Sequence, residues 1–125
     1  MNWFAKMGSA YVMSKLSMTL ITHGLAGELK DDGIGCNTLW PRTAIQTAAV
    51  KNKLGGEESM SASRIPEIMA DAAHVILTSD AKQTTDNFFM DDEVLISNGE
   101  TIDSLAKYLP KKSIPLSSLM QDFIC

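Results

Sequence analysis

Between positions 9 and 30 the apolar residues Val12, Met13, Leu16, Leu20, Ile21, Leu25 and Leu29 recur at spacings of one, three and four, the mark of a helix with one apolar face. Ser9 is placed to cap its start, and Asp31-Asp32-Gly33 to end it, with Gly33 suited to a left-handed turn. Gly24 and Gly27 lie inside that helix, where each costs about 1 kcal/mol relative to alanine. Close approach of a second helix is one reason to keep such glycines. The pattern then shifts. Ile34 to Trp40 is a short run with little alternation, stopped by Pro41, and predicts a strand buried on both faces. Thr43 to Lys53 predicts one or two helical turns, and Gly55-Gly56-Glu57-Glu58 a loop. A second long helix is predicted from Ser63, with Pro66 in its first turn and a stripe of Ile68, Met69, Ala72, Ala73, Ile76 and Leu77, ending by Ser79-Asp80. Asn87-Phe88-Phe89-Met90 predicts a second strand, Glu93 to Ser97 a further extended piece, and Ile102, Leu105, Ala106 and Leu109 a short helix before Pro110. The tail from Lys111 to Cys125 is apolar in patches (Ile114, Leu116, Leu119, Met120, Phe123, Ile124) and is expected to pack onto something.

A strand, helices and a strand in that order predict an α/β fold with a parallel pair joined by a right-handed crossover. Two or three strands are few for a parallel sheet, which needs cover on both faces. The inventory suits half of a Rossmann-type doubly wound sheet better than a whole domain. Composition adds little: 125 residues leave room for one domain, and 45% hydrophobic with 21% charged residues is ordinary for a globular chain. A net charge of −4 argues against a nucleic-acid surface, and Lys111-Lys112 is a weak basic footprint. The stretch from Ala10 to Leu25 imitates a signal peptide, but Lys15 and several polar residues interrupt it, and no run is long enough to span a membrane. Cys36 and Cys125 read as free thiols of a reducing compartment, and the cytoplasm is the expected location.

Candidate chemistry starts at Tyr11 and Lys15. Residues four apart on a helix share a face, so phenol and ammonium point the same way. A free phenol is a poor base at neutral pH, and a neighbouring ammonium favours the phenolate. Such a pair can give and take a proton in an alcohol–carbonyl interconversion. The same spacing also fits an amphipathic helix whose tyrosine packs and whose lysine stretches its charge into water. The two histidines, His23 and His74, sit on different helices; Asp71 and His74 share a face, and a surface hydrogen bond is expected there rather than a metal pair. Asp91-Asp92-Glu93 lacks the alternating ligands and glycine of a calcium loop and is expected to be a solvated turn. No metal site is predicted, and the eight methionines read as core filler.

The order of these pieces is more specific than any one of them. Trp3-Phe4 precedes the Tyr-x-x-x-Lys helix, and the next strand runs into Leu39-Trp40-Pro41-Arg42-Thr43-Ala44-Ile45; a helix ending in Val75-Ile76-Leu77 and the segment to Leu95 follow. Together these resemble the C-terminal half of the short-chain dehydrogenase/reductase family, from about Trp3 to Leu95. Pro115-Leu116 with Asp122-Phe123 loosely matches its tail. The resemblance divides the chain into a dehydrogenase portion over 1–109 and a tail over 110–125. It implies NAD or NADP as cofactor and a small-molecule alcohol/carbonyl pair as substrate. It implies Tyr11 as catalytic acid/base and Lys15 as the residue that binds the nicotinamide ribose hydroxyls. The segment after Pro41 would lie along the nicotinamide, with the Ile45 backbone near the carboxamide and Thr43 or Thr47 near the ring or pyrophosphate. The family at large has Pro-Gly where this chain has Pro41-Arg42, which follows one subgroup.

The glycine-rich turn that holds a dinucleotide pyrophosphate in this family has no counterpart in these 125 residues, and neither Ser9 nor Ser14 lies on the element that bears the family's active-site serine. The chain is therefore expected to be a portion or remnant of a longer enzyme, inactive alone. The alternative is a non-catalytic association module, in which the Tyr-bearing helix and an open sheet edge meet a second copy or a missing N-terminal half.

Overall fold

The computed structural model describes residues 7–110 and 115–121. Trp3-Phe4, Lys111-Lys112, Ile114, Asp122-Phe123, Ile124 and Cys125, all used in the sequence reading, lie outside that range. Helix α1 runs Ser9–Glu28, and β1 follows at Asn37–Trp40. Helices α2 (Ala48–Lys53), α3 (Gly56–Ser61) and α4 (Glu67–Leu77) connect it to β2 (Asn87–Met90). Helix α5 is Asp91–Ser97, and short 3-10 turns occupy Ser104–Tyr108 and Leu116–Ser118. The two strands pair in parallel, Asn37 opposite Asn87 through Trp40 opposite Met90.

Gly8, not Ser9, stands at the N-cap of α1, and no side chain caps it. Beyond α1, Gly33 adopts φ +72° and its N–H bonds to the Lys30 carbonyl, turning the chain toward the sheet. The predicted strand begins late, because residues 34–36 are held by other contacts. A Cβ on Gly35 would lie 2.7 Å from the Thr84 carbonyl oxygen and 3.0 Å from that of Ala81. This close backbone approach requires a glycine. Register is then fixed by side chains: Asn37 Oδ1 accepts from the Asn87 N–H at 3.1 Å and from Asn87 Nδ2 at 2.9 Å, while Asn37 Nδ2 donates to the Thr84 carbonyl. His23 Nδ1 meets Asp86 Oδ1 at 2.5 Å and ties α1 to the residue entering β2, which sits at φ +61°.

The core lies between α4 and α5. Ile68 and Ala72 from α4 meet Val94 and Leu95 from α5, with Leu105 and Tyr108 closing the cluster. Full burial of a side chain such as Ile68 contributes about 1.5–3 kcal/mol. A smaller cluster, Trp40 and Met90 with Leu16 against them, joins the strand ends to α1.

Several elements differ from the sequence expectation. The glycine loop at 55–58 is instead the start of α3, entered through Gly55 at φ +121° and Gly56 at φ +67°. Ser63 does not start a helix; it is buried ahead of α4, its hydroxyl donating to the Ser59 carbonyl, and Pro66 is the N-cap. The extended piece at 93–97 is helix α5, because the Asp91-Asp92-Glu93 run occupies a helix first turn, where acids oppose the helix dipole favourably. Of the apolar stripe on α1, Val12 is buried and Leu16 half-buried, whereas Met13, Leu20, Ile21 and Leu25 are exposed. A Cβ on Gly24 or Gly27 would meet nothing within 4 Å, so no described residue makes the close approach their presence suggested. No helix among the described residues is long and apolar enough to cross a membrane.

Candidate functional site

Tyr11 and Lys15 stand one turn apart in the first half of α1. The Lys15 ammonium lies 5.8 Å from the centroid of the Tyr11 ring, within cation–π range. Tyr11 is 38% exposed, so the ring is accessible from solvent. The neighbouring hydroxyls of Ser14 and Ser17 are spent on helix carbonyls, at 2.6 and 3.0 Å. Across from this face lies the end of β1. Trp40 is anchored there by its indole N–H, which donates to Thr19 Oγ1 at 3.2 Å, and by stacking on Phe88 with centroids 5.9 Å apart. Helix and strand end enclose a cavity of about 330 Å³, lined by Tyr11, Lys15, Met18 and Thr19 on one side and by Thr38 to Pro41 on the other.

Pro41 thus shares a cavity with Tyr11 and Lys15, while three other candidates follow a different course. Thr43 is buried and forms an antiparallel bridge with Gln121. Ile45 bridges in parallel to Arg64. Thr47 accepts the Val50 N–H at 3.3 Å and caps α2. The segment is gripped from both sides: the Ala44 N–H donates to the Met120 carbonyl, the Arg64 N–H to the Ala44 carbonyl, and the Met120 N–H to the Ala62 carbonyl.

The sequence reading missed the charged cluster beneath this segment. Asp91 is fully buried, not part of a solvated turn as expected from Asp91-Asp92-Glu93. Its Oδ1 accepts the backbone N–H of Arg42 at 2.9 Å and that of Asp92 at 2.8 Å. Burial pushes the Asp91 carboxyl up, partly offset by those two hydrogen bonds. Arg42 Nε meets both oxygens of Asp92 at 3.1 Å, and its Nη2 bonds Glu93. The Asp92 hydrogen bond, with help from Glu93, holds the Arg42 guanidinium still more firmly in its charged form. Buried Arg64 stands behind them, Nη1 3.8 Å from Asp92. The available signal was an acid placed directly after a strand that ends in buried Met90.

A second phenol behaves differently. Buried Tyr108 donates to Asp71 Oδ2 at 2.6 Å, so Asp71 is engaged by Tyr108 rather than by His74 as the helix spacing suggested. Burial, reinforced by Asp71, pushes the Tyr108 phenol up and keeps its proton in place. That arrangement is structural, and it contrasts with the accessible ring of Tyr11. Among the described residues no group of three or more His, Cys, Asp or Glu is gathered to hold a metal ion.

No family model matches the chain. Hydroxysteroid dehydrogenase-like protein 2 of Xenopus laevis is 44% identical over 97 residues, covering 78% of this chain and 22% of that protein. The human protein of the same name is 40% identical over 114 residues, covering 91% of this chain and 26% of its own length. Among solved structures, a Xanthomonas campestris protein assigned as a dehydrogenase superposes with a TM-score of 0.78 at 41% identity, over 94% of this chain and 40% of that one. A short-chain dehydrogenase from Mycobacterium thermoresistibile gives a TM-score of 0.73 at 46% identity, over 90% of this chain and 38% of that one. The chain therefore spans 22–26% of these curated relatives and 38–40% of these solved chains.

Proposed function

We propose, from the premise that this chain is a relative of the short-chain dehydrogenases in both sequence and fold, that it carries the acid/base portion of an NAD- or NADP-dependent alcohol/carbonyl oxidoreductase site. The observation that supports this reading is the shared cavity: an accessible phenol, an ammonium on the same helix face and a proline-terminated strand end wall one space of about 330 Å³. A nicotinamide riboside fits that donor set, with an ammonium for ribose hydroxyls and an apolar wall for the ring. Lys15 would hold the ribose, and Pro41 would lie against the ring. The nicotinamide supplies hydride transfer when bound. Tyr11 gives its proton to the carbonyl oxygen in reduction, or takes one from the alcohol in oxidation. The Lys15 ammonium opposes the negative charge left on the phenol oxygen.

In this reading the rest of the cofactor runs along the 43–47 segment, where Thr43, Ile45 and Thr47 would meet it. A glycine-rich phosphate turn would have to be supplied from outside these 125 residues, and this portion is not active by itself. Its substrate is a small alcohol/carbonyl pair, and free Cys36 is in keeping with a cytoplasmic setting.

The test uses the part of the cofactor that this cavity can take. Reduced nicotinamide mononucleotide at millimolar concentration is expected to shift the amide resonances of Lys15, Thr38 and Trp40, and Lys15→Ala to abolish the shifts. A wild-type spectrum that does not move at that concentration overturns the reading. A second reading has its own observation: Met13, Leu20 and Ile21 on α1 are 64%, 70% and 62% exposed. An apolar helix face left uncovered supports association through α1, with or without catalysis.

A further inference from the structure

We propose that Asp91 is the positioning residue of the Pro41–Thr43 stretch: its Oδ1 holds the Arg42 backbone N–H at 2.9 Å and thereby sets where Pro41 walls the Tyr11–Lys15 cavity. The argument begins with topology. Because β1 and β2 are parallel and Trp40 stands opposite Met90, the residues just past each strand emerge side by side. Pro41 has no N–H, so the Arg42 amide is the first donor after the strand, and it falls where strand pairing has ended. Asp91 reaches across to it from the end of the neighbouring strand.

The carboxylate is an expensive choice for this task. It is 0% exposed, and its Oδ2 makes no hydrogen bond. A buried carboxylate is tolerated when its charge strengthens the bonds it does make, and here both are to backbone N–H groups. A leucine in its place would fill space and leave the Arg42 amide without that acceptor. The charged groups acting on Asp91 are Arg64 from the stretch before α4 and Asp92 on its own helix, while Arg42, from the segment after β1, meets it through its backbone N–H and turns its guanidinium to Asp92 and Glu93. The far side of the segment is already fixed by the Ala44 bonds to Met120 and Arg64. Asp91 therefore supplies the restraint at the cavity end. What that restraint is for rests on the nicotinamide reading; the restraint itself does not.

The experiment is amide exchange and pH titration of the full chain by NMR. Asp91→Ala is expected to speed exchange at Arg42 by about tenfold relative to Ala72 in the core, and Asp91→Asn, which keeps an acceptor oxygen, to hold it within about threefold of wild type. In the wild type the Arg42 amide proton should follow a carboxyl titration above the ordinary aspartate range, and Asp91→Asn should flatten it. Equal protection of Arg42 in Asp91→Ala, or an Arg42 resonance indifferent to carboxyl titration, overturns the proposal. Should Asp91→Ala not fold, the wild-type titration and Asp91→Asn decide. Reduced nicotinamide mononucleotide separates the two readings. If the wild type binds it, Asp91→Ala weakens binding about tenfold and Asp91→Asn restores it. If the wild type does not bind it while Arg42 still titrates with Asp91, the cofactor reading falls and the positioning role stands.

Discussion

At Gly35 a side chain has nowhere to go. The obstructing atoms are backbone carbonyls of Thr84 and Ala81, which cannot swing aside as a side-chain tip would. Gly35→Ala is expected to lower stability by about 1–3 kcal/mol, read as a drop in urea midpoint with the slope unchanged. Much of that loss falls on the neighbouring bond from the Asp86 N–H to the Cys36 carbonyl, which aligns the entries to the two strands. That Tyr11 and Lys15 share a helix face was legible without a structure, since four-residue spacing puts them there. Asp91 was not. Its burial is decided by Arg42, 49 residues earlier, and no local pattern announces a partner at that distance.

Among the elements, β2 was read to the residue, because two phenylalanines between asparagine and methionine, with an acid run after them, fit little else. Helix α5 was not, since Val94-Leu95-Ile96 is a short unbroken apolar run that fits a strand as well as a helix. What decides it is tertiary: Val94 and Leu95 both turn into the α4 face, which only helical geometry permits. Helix α3 was hidden by its glycines, which mark turns in most contexts but here set the positive φ angles of its entry. Helix α2 is short and leans on its cap. Thr47→Ala is expected to cost about 1 kcal/mol and to speed exchange of the Val50 amide, while Thr47→Ser keeps both near wild type. A loss of nucleotide binding in Thr47→Ser, with the cap intact, would instead reveal a ligand role for the threonine methyl.

For the whole molecule, the fold class was legible from the alternation of strand and helix, and the partial sheet from its strand count. The apolar face of α1 was legible but its cover was not, because periodicity reports that a face is apolar and not what covers it. Leu20 and Ile21 are mostly exposed, and Gly24 and Gly27 leave room for another helix alongside. Sedimentation at about 100 µM is expected to show self-association, and Leu20→Asp with Ile21→Asp to return the chain to a monomer. A wild-type monomer at that concentration would count against the association reading.

The parallel pairing of residues 37–40 with 87–90 has a consequence in time as well as in space. Its contacts span 50 residues, so β1 waits for α2, α3 and α4 to collapse before its partner arrives. Through that interval Asn37, Thr38, Leu39 and Trp40 are an unpaired, largely uncharged segment of the kind that other nascent chains can pair with. Three of these four, Thr38, Leu39 and Trp40, later wall the cavity, so the same residues are also the ones most exposed to misassembly, and yield on expression will depend on how quickly Phe88 and Phe89 reach them.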